Sequence, residues 1–277
     1  MLICLPPSEG KTPAPDGAAP VDLTALTAPS LTPRREKVLN ALAEVSARPD
    51  ATDVLKVGAG LADEVARNTA LRTAAAAPAT DVYTGVLYAA AGLGDLTGTA
   101  AARAASSVLV FSGLWGVVAP GDRIPAYRLS MGVDLPGIGK LGTAWRDDLA
   151  AVLDARAAGD VVVDCRSAAY AAAWKPRTTG PDATDWVAVR VVREHDGKRT
   201  VVSHNAKHTR GVLTGHLLRR AGAAPTSAET LLAAARELDG QVIGTEVGTG
   251  LSYRMVEATL HDATTRTGPR TLEIVIA

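Results

Sequence analysis

The stretch from Val108 to Lys140 constrains the fold more than any other part of this 277-residue chain. It opens with four apolar residues, which predict a buried strand that stops at Ser112-Gly113. The residues beyond this point include five glycines and three prolines, but also the bulky aromatic residues Trp115 and Tyr127. A solvated linker lacks such apolar anchors, and a core element is not interrupted so often. We therefore predict an ordered loop region that carries a function.

Three polar side chains of this loop region are candidates for that function: Asp122, Tyr127 and Arg128. Arg128 directly follows Tyr127 and is framed by Pro125 and Gly132, a setting more typical of a binding element than of a solubilising charge. The alternative is a long structural crossover in which the aspartate and the arginine form an incidental ion pair.

The charge balance excludes a global electrostatic attraction to nucleic acid or to membranes. Lys plus Arg and Asp plus Glu number 29 each, so any anion site must be local. A chain of this length can bury a sizeable core. Because we find no internal repeat and no long linker, we predict one domain over residues 1–277.

The two cysteines, Cys4 and Cys165, lie in apolar strand-like runs, which favours buried thiols in a reducing cytosol. A redox switch is the less favoured interpretation, because neither has a resolving cysteine nearby in sequence. The chain has no apolar run of about 18 residues and no charged region typical of a signal peptide at its N terminus. We therefore expect a cytoplasmic protein with no membrane partner.

The N-terminal apolar run ends at a turn that contains Ser8 and Lys11. A strand followed by Gly-Lys-Thr suggests a phosphate-binding P-loop, but Leu5 stands where that motif needs its first glycine, and Pro13 and Pro15 replace the helix that should follow. What remains is a hydroxyl and an ammonium that can meet an anion at the end of a strand. The alternative is a surface turn.

Periodicity and turn signals predict both helices and strands along the chain. Thr32 is the expected N-cap of the first helix, and Thr226 and Glu229 are the expected capping box of the last. The predicted strands are residues 1–5, 108–111, 160–165, 187–193, 200–203, 241–248, 251–258 and 271–276. The predicted helices are residues 32–45, 59–72, 97–105, 143–153, 167–174, 205–220 and 226–238.

Lys207 and Arg210 lie three residues apart and share a face in the first turn of a predicted helix. Cations at this end oppose the helix dipole, which suggests that they meet an anion. The alternative is that they pair with acids such as Asp122. Zinc binding by His204 and His208 is not expected, because we place His204 at the end of a strand and find no third ligand at suitable spacing.

The segment Gly137-Ile-Gly139-Lys140 is similar to the hairpin of a helix-hairpin-helix motif, in which glycine N–H groups approach a DNA phosphate. A predicted helix follows it, which supports such an insert near residues 125–155. Pro125 and Gly132 interrupt any helix before it. Gly137, Gly139 and Lys140 are therefore candidates for a phosphate clamp.

Taken together, several motifs resemble the signature of the YaaA family of bacterial peroxide-stress proteins. They occur in the family's order and are spread over most of the chain. They are Ser-Gly-Leu-Trp-Gly-Val at 112–117, Pro-x-Asp at 120–122, Pro-x-Tyr-Arg-Leu-x-Met-Gly at 125–132, Asp-Val-Tyr-Thr-Gly at 81–85, Ser-x-x-Lys-Thr at 8–12, and Ala-Lys-x-x-Arg-Gly at 206–211.

The resemblance implies a single compact mixed α/β body, with a central mixed sheet flanked by helices and a basic cleft. It also implies a cytoplasmic role in limiting iron-linked oxidative damage and binding of double-stranded DNA. It also implies which residues form the cleft. These are Ser8, Lys11, Tyr83, Thr84, Ser112, Tyr127, Arg128, Lys207 and Arg210, with the 137–140 hairpin at the rim. The N-terminal motif departs from the more compact Ser-Pro-Ala-Lys-Thr form associated with the family, which leaves the shape of the cleft open.

The second hypothesis is an enzyme acting on a small anionic or nucleotide substrate in the same cleft. A DNA clamp needs a spread of cations, whereas these motifs converge on one region in family terms. The candidate catalytic residues are Lys11, Tyr127 and Arg128, because a desolvated lysine near an arginine can act as base or nucleophile. Clusters of carboxylates and histidines at ligand spacing are missing, so we expect no metal and no cofactor, and an iron-binding protein is the least favoured hypothesis.

Overall fold

The fold is organised by a mixed β-sheet with parallel strands at its centre. The computed structural model describes residues 1–202, 204–245 and 250–277. The strands of this part of the chain are β1 (Leu2–Leu5), β2 (Ala77–Pro78), β3 (Val108–Ser112), β4 (Gly116–Val118), β5 (Arg123–Ile124), β6 (Asp134–Leu135), β7 (Gly139–Lys140), β8 (Val161–Asp164), β9 (Asp185–His195), β10 (Lys198–Val201), β11 (Val242–Thr245), β12 (Ser252–His261) and β13 (Arg270–Ile276).

Helices cover the sheet and connect its strands. The α-helices of the described residues are α1 (Thr32–Ser46), α2 (Ala51–Val54), α3 (Ala62–Ala66), α4 (Ala79–Val82), α5 (Val86–Ala91), α6 (Gly98–Ser107), α7 (Leu141–Ala144), α8 (Arg146–Ala157), α9 (Ala168–Ala171), α10 (His204–Arg219) and α11 (Ala228–Arg236). Short 3-10 turns occur at Pro29–Leu31, Ala59–Leu61, Arg67–Ala70 and Leu93–Asp95.

The large sheet has the order β11-β12-β13-β9-β8-β1-β3-β4, and β10 pairs with the far end of β9. Strands β3, β1, β8, β9 and β13 run parallel to their neighbours in this series, whereas β4, β10, β11 and β12 pair antiparallel. Every residue of β1 and β8 is buried, as expected for central parallel strands covered on both faces. The predicted mixed α/β class is confirmed, and the parallel order brings the carboxyl ends of β3, β1 and β8 to one edge of the sheet.

Two predicted helix caps are wrong by one residue. Thr32 is the first residue of α1 and not its cap, because its hydroxyl donates to the carbonyl of Leu23. In α11 the capping box is formed by Ser227 and Thr230, since Ser227 has the extended backbone that a cap requires and its hydroxyl accepts the Thr230 N–H. Glu229 pairs with Arg270 instead.

The predicted helix over 59–72 is divided into the 3-10 turn Ala59–Leu61, α3 and a second 3-10 turn, Arg67–Ala70. The second turn holds Asn68, which is fully buried and bonded through its side chain to the backbone of Arg128. A tertiary contact therefore overrides the helical pattern at this position.

The 134–140 segment is a two-stranded hairpin of β6 and β7. Residues 125–133 contain no helix in the structure, so the first half of a helix-hairpin-helix motif is absent there. The physical reason is the alternation of buried and less buried residues from Tyr127 to Leu135, a period of two that suits extended chain. The second half is present, because α7 and α8 follow the hairpin.

The strands predicted over 187–193 and 200–203 are confirmed, since β9 and β10 pair antiparallel as a hairpin around Asp196-Gly197. The end of its second strand at Ser203, and residues 246–248 of another predicted strand, lie outside the described residues. His204 was expected at a strand end and is instead the first residue of α10. Among the described helices, none has the length and apolar character needed to cross a membrane.

Candidate functional site

A cavity of about 680 Å³ lies beyond the carboxyl ends of β1 and β8, and we refer to it as the pocket. Crevices at this edge are the common ligand sites of sheets with parallel strands. The segments that line the pocket are parts of residues 6–11, 55–57, 84–88, 128–133 and 165–170, together with His204, Lys207 and Arg210 of α10.

The turn after β1 is fastened to the segment that contains Tyr83. The Ser8 hydroxyl donates to the Gly10 carbonyl at 2.5 Å and accepts the Thr84 N–H at 3.1 Å. Lys11 and Tyr83 form an isolated β-bridge. The predicted anion-binding residues Ser8, Lys11 and Thr84 are therefore neighbours on the wall of the pocket.

The ammonium of Lys11 lies against aromatic rings. Its Nζ is 4.3 Å from the centroid of the Tyr127 ring and donates to the carbonyl oxygens of Ser8 and Glu9 at 2.9 and 3.3 Å. Part of the side chain reaches solvent. Burial of the amine and, to a smaller extent, the nearby charge of Arg128 outweigh the opposing effects of Glu64 and Glu9 and together lower its pKa from 10.5 to about 7. Lys11 can therefore be neutral near physiological pH.

A chain of hydroxyl groups lies behind Lys11. The hydroxyls of Tyr83 and Tyr127 are 3.0 Å apart, and that of Tyr127 is 2.6 Å from Ser112 Oγ. Burial raises the pKa of Tyr83 and Tyr127 above the ordinary value, so both phenols stay protonated. These three residues are buried and do not line the pocket. The structure thus places three predicted site residues in the core that supports Lys11.

Arg128 lies at the wall of the pocket and is held at both its ends. Its backbone N–H and carbonyl bond the side-chain amide of Asn68, each at 2.9 Å. Its Nη1 donates to the Glu9 carbonyl at 3.0 Å and lies 3.4 Å from Glu64 Oε2. No sequence pattern indicates Asn68 or Glu64 as site residues, because both come from a segment that only the fold brings to the pocket.

Helix α10 supplies the other two predicted cations. Arg210 donates through Nε and Nη2 to the carbonyl of Val189 at 3.1 and 2.8 Å. Lys207 lies 3.7 Å from Glu9 Oε1, and both side chains are largely exposed, at 57% and 79%. The proposed pairing with Asp122 is wrong, because Asp122 accepts bonds from Thr27 and from the Ala119 N–H.

Close packing of α10 on α5 brings these cations to the pocket. A Cβ on Gly211 would overlap the carbonyl oxygen of Leu87, and one on Gly215 would lie 2.8 Å from that of Ala91. Only glycine permits this approach. The spacing of Gly211 and Gly215, four residues apart on one helix face, is the sequence signal that could have predicted the contact.

Gly137, Gly139 and Lys140 do not line the pocket. The two glycines have φ values of +80° and +89°, which shape the turn between β6 and β7, and Lys140 is exposed. The structure therefore separates the predicted phosphate clamp from the other candidate residues.

Two further residues of the pocket were not predicted as site residues. Tyr170 lines it, and burial raises the pKa of its phenol despite hydrogen bonds from the Met131 backbone and Ser130. Cys165 also lines it, and burial raises the pKa of its thiol to about 12, although the charge of Arg210 opposes this. Cys165 is therefore a protonated, weakly reactive thiol.

Comparison with known proteins places every segment of the pocket within a matched region. A family model described as peroxide stress protein YaaA matches residues 1–236. A UPF0246 protein from Streptomyces coelicolor is 50% identical over 244 residues, which cover 87% of this chain and 92% of the relative. A UPF0246 protein from Corynebacterium efficiens is 41% identical, with 83% and 89% covered, and one from Cereibacter sphaeroides is 32% identical, with 77% and 84% covered.

Proposed function

The chain belongs to the YaaA family of peroxide stress proteins, and we propose that it serves that response by binding a small organic anion in the pocket, where Lys11 acts as base or nucleophile. The observation that carries this proposal is the convergence of Lys11, Arg128, Lys207 and Arg210 on one cavity. They come from the turn after β1, the loop after β5 and helix α10, so only the fold unites them.

The size of the pocket supports a small ligand. Sites for drug-sized molecules occupy roughly 300–1,000 Å³ and are mostly apolar with a few placed polar groups. The pocket has about 680 Å³. Leu55, Leu87 and Leu129 contribute apolar lining, and the four cations contribute the charge.

The exposure of the cations favours a small anion over duplex DNA. Binding to a duplex relies on cations that reach phosphates along its backbone. Here the Lys11 ammonium lies against buried tyrosine rings, Arg128 is held by Glu9 and Glu64, and Arg210 is bound to a main-chain carbonyl. Of the four, Lys207 is the one that is largely exposed.

Thermal unfolding in the presence of citrate and of AMP tests the proposal. Both anions should raise the Tm of the wild type and of Lys140→Gln, a matched control outside the pocket, because binding to the native state alone adds ~2.7 kcal/mol at ~100 times the Kd. Arg128→Gln and Lys207→Gln should lose most of the shift.

Duplex DNA, measured by fluorescence anisotropy over a salt series, gives the competing result. The anion proposal is wrong if neither small anion changes the Tm while a duplex binds with steep salt dependence that Lys140→Gln abolishes. That outcome would assign the function to the 134–140 hairpin and its DNA-phosphate contacts.

A further inference from the structure

We infer that the pocket takes a 2-oxo or 3-oxo carboxylic acid and that the amine of Lys11 forms an imine with its ketone carbon. This inference rests on the proposed anion pocket and specifies the chemistry of its ligand. It is carried by the position of the Lys11 amine, by hydrogen-bond donors left open on two arginines of the pocket, and by a hydroxyl group that lines the same cavity.

The first observation is that Lys11 has no acid as a close partner among the described residues. The two acids whose charges act on Lys11 pair elsewhere, Glu64 with Arg128 and Glu9 with Lys207. Lys11 Nζ bonds two main-chain carbonyls. Its pKa of about 7 leaves a substantial neutral fraction at physiological pH. A lysine that served only to neutralise a phosphate would gain from full protonation, whereas a neutral amine is a nucleophile for a carbonyl carbon.

The second observation is the set of open hydrogen-bond donors on the two arginines that line the pocket. Both described side-chain contacts of Arg128 use Nη1, and those of Arg210 use Nε and Nη2. Within the described part of the chain, Arg128 Nε and Nη2 and Arg210 Nη1 are thus available to a ligand. The planar guanidinium fits a carboxylate with two parallel bonds. Arg128 Nη1 and Lys11 Nζ donate to the same carbonyl oxygen, that of Glu9, at 3.0 and 3.3 Å. A carboxylate held by Arg128 therefore brings an adjacent ketone towards the amine.

The third observation is the hydroxyl of Tyr170, which lines the pocket and whose pKa is raised by burial, so that it remains a proton donor. In the proposed step the lone pair of Lys11 Nζ attacks the ketone carbon, and the C=O π pair moves to oxygen. One amine proton moves to that oxygen. The Tyr170 hydroxyl then protonates the departing hydroxyl group as water, and the second amine proton returns to the Tyr170 oxygen. The products are a C=N bond and one water molecule, so no oxidant or reductant is needed.

Reductive trapping tests the inference. The full-length protein is incubated with pyruvate and cyanoborohydride, and the mass of the intact protein and of its peptides is measured. The expected product is an adduct on Lys11 with the added mass of pyruvic acid minus one oxygen atom. Lys11→Arg, which keeps a cation but cannot form the imine, should lose this adduct. Lys140→Arg, a matched change of an exposed lysine outside the pocket, should keep it, and Lys56, a second lysine that lines the pocket, should be labelled less than Lys11.

Lactate separates failure of this inference from failure of the proposed function, since it has the carboxylate but no ketone. If lactate reduces the labelling of Lys11 by pyruvate, the result supports both the imine and the anion pocket. A rise in Tm with lactate and pyruvate, but no adduct on Lys11, overturns the imine and leaves the anion pocket standing. No change in Tm and no adduct overturns both. Equal labelling of Lys11 and Lys56 overturns the assignment to Lys11.

Discussion

Replacing Lys11 with methionine should stabilise the protein at neutral pH and remove a pH dependence of its unfolding free energy. Folding lowers the pKa of Lys11 from 10.5 to about 7. The unfolded chain therefore binds more protons than the native state between these values, and stability rises with pH in this window. Below pH ~7 the native state contains the protonated amine of Lys11. At ~1.36 kcal/mol per pKa unit, this lowers the unfolding free energy by ~5 kcal/mol.

The measurement is urea unfolding of the wild type and Lys11→Met at a series of pH values. The destabilisation by the buried cation is complete below the pKa of the folded state and decreases as pH rises towards the pKa of the unfolded state. The difference in unfolding free energy between the two proteins should therefore narrow by ~3 kcal/mol from pH ~6 to pH ~9. The charged groups that act on Lys11 are Arg128, Glu64 and Glu9. They are the same in both proteins, so the difference between the two curves reports the contribution of residue 11.

Lys140→Met is the matched control, since Lys140 is exposed on the β6–β7 hairpin. Its effect on the unfolding free energy should be the same at each pH. If the curves of the wild type and Lys11→Met run parallel, the amine of Lys11 is not desolvated. The inference that it can act as a neutral nucleophile then loses its basis.

Three other perturbations probe the frame of the pocket. Gly211→Ala should cost ~1–3 kcal/mol in urea unfolding and weaken anion binding, because its Cβ overlaps the Leu87 carbonyl, whereas Gly60→Ala meets open space and should change neither. Arg35→Met should cost ~3 kcal/mol or more, since the buried guanidinium donates to four main-chain carbonyls that would lose their partner. The thiol of Cys165 should not react with a disulfide reagent in the native protein near pH 7 and should react after unfolding, because its pKa is raised to about 12.

The parts of the fold predicted best are those in which a local signal agrees with the environment of the chain. The run at Met1–Leu5 is apolar throughout, which is what a central parallel strand requires, and β1 forms there. Asp196 and Gly197 both have positive φ in the β9–β10 turn, the conformation that an Asp-Gly pair favours. At both places the local conformational preference agrees with the conformation that the tertiary structure requires.

The parts predicted poorly depend on contacts between distant segments. The helix expected over 59–72 is interrupted where the Asn68 side chain forms hydrogen bonds with the backbone of Arg128, 60 residues further along the chain. The composition suggested acids such as Asp122 as partners for the cations of α10. In the structure Lys207 pairs with Glu9, and Arg210 donates to the Val189 carbonyl. A list of charges contains no information about which main-chain carbonyls a helix will approach.

The support of Lys11 shows why its chemistry could not come from its own motif. Ser112 Oγ accepts hydrogen bonds from the N–H groups of Leu114 and Trp115, which occupy both lone pairs of its hydroxyl oxygen. Ser112 therefore donates its proton to the Tyr127 hydroxyl, and Tyr127 in turn donates to Tyr83. This order fixes the two rings that flank the Lys11 amine. The lowered pKa of Lys11 is thus a property of the turn of the chain after β3 as much as of the turn after β1, and it exists only once the parallel strands have brought the two together.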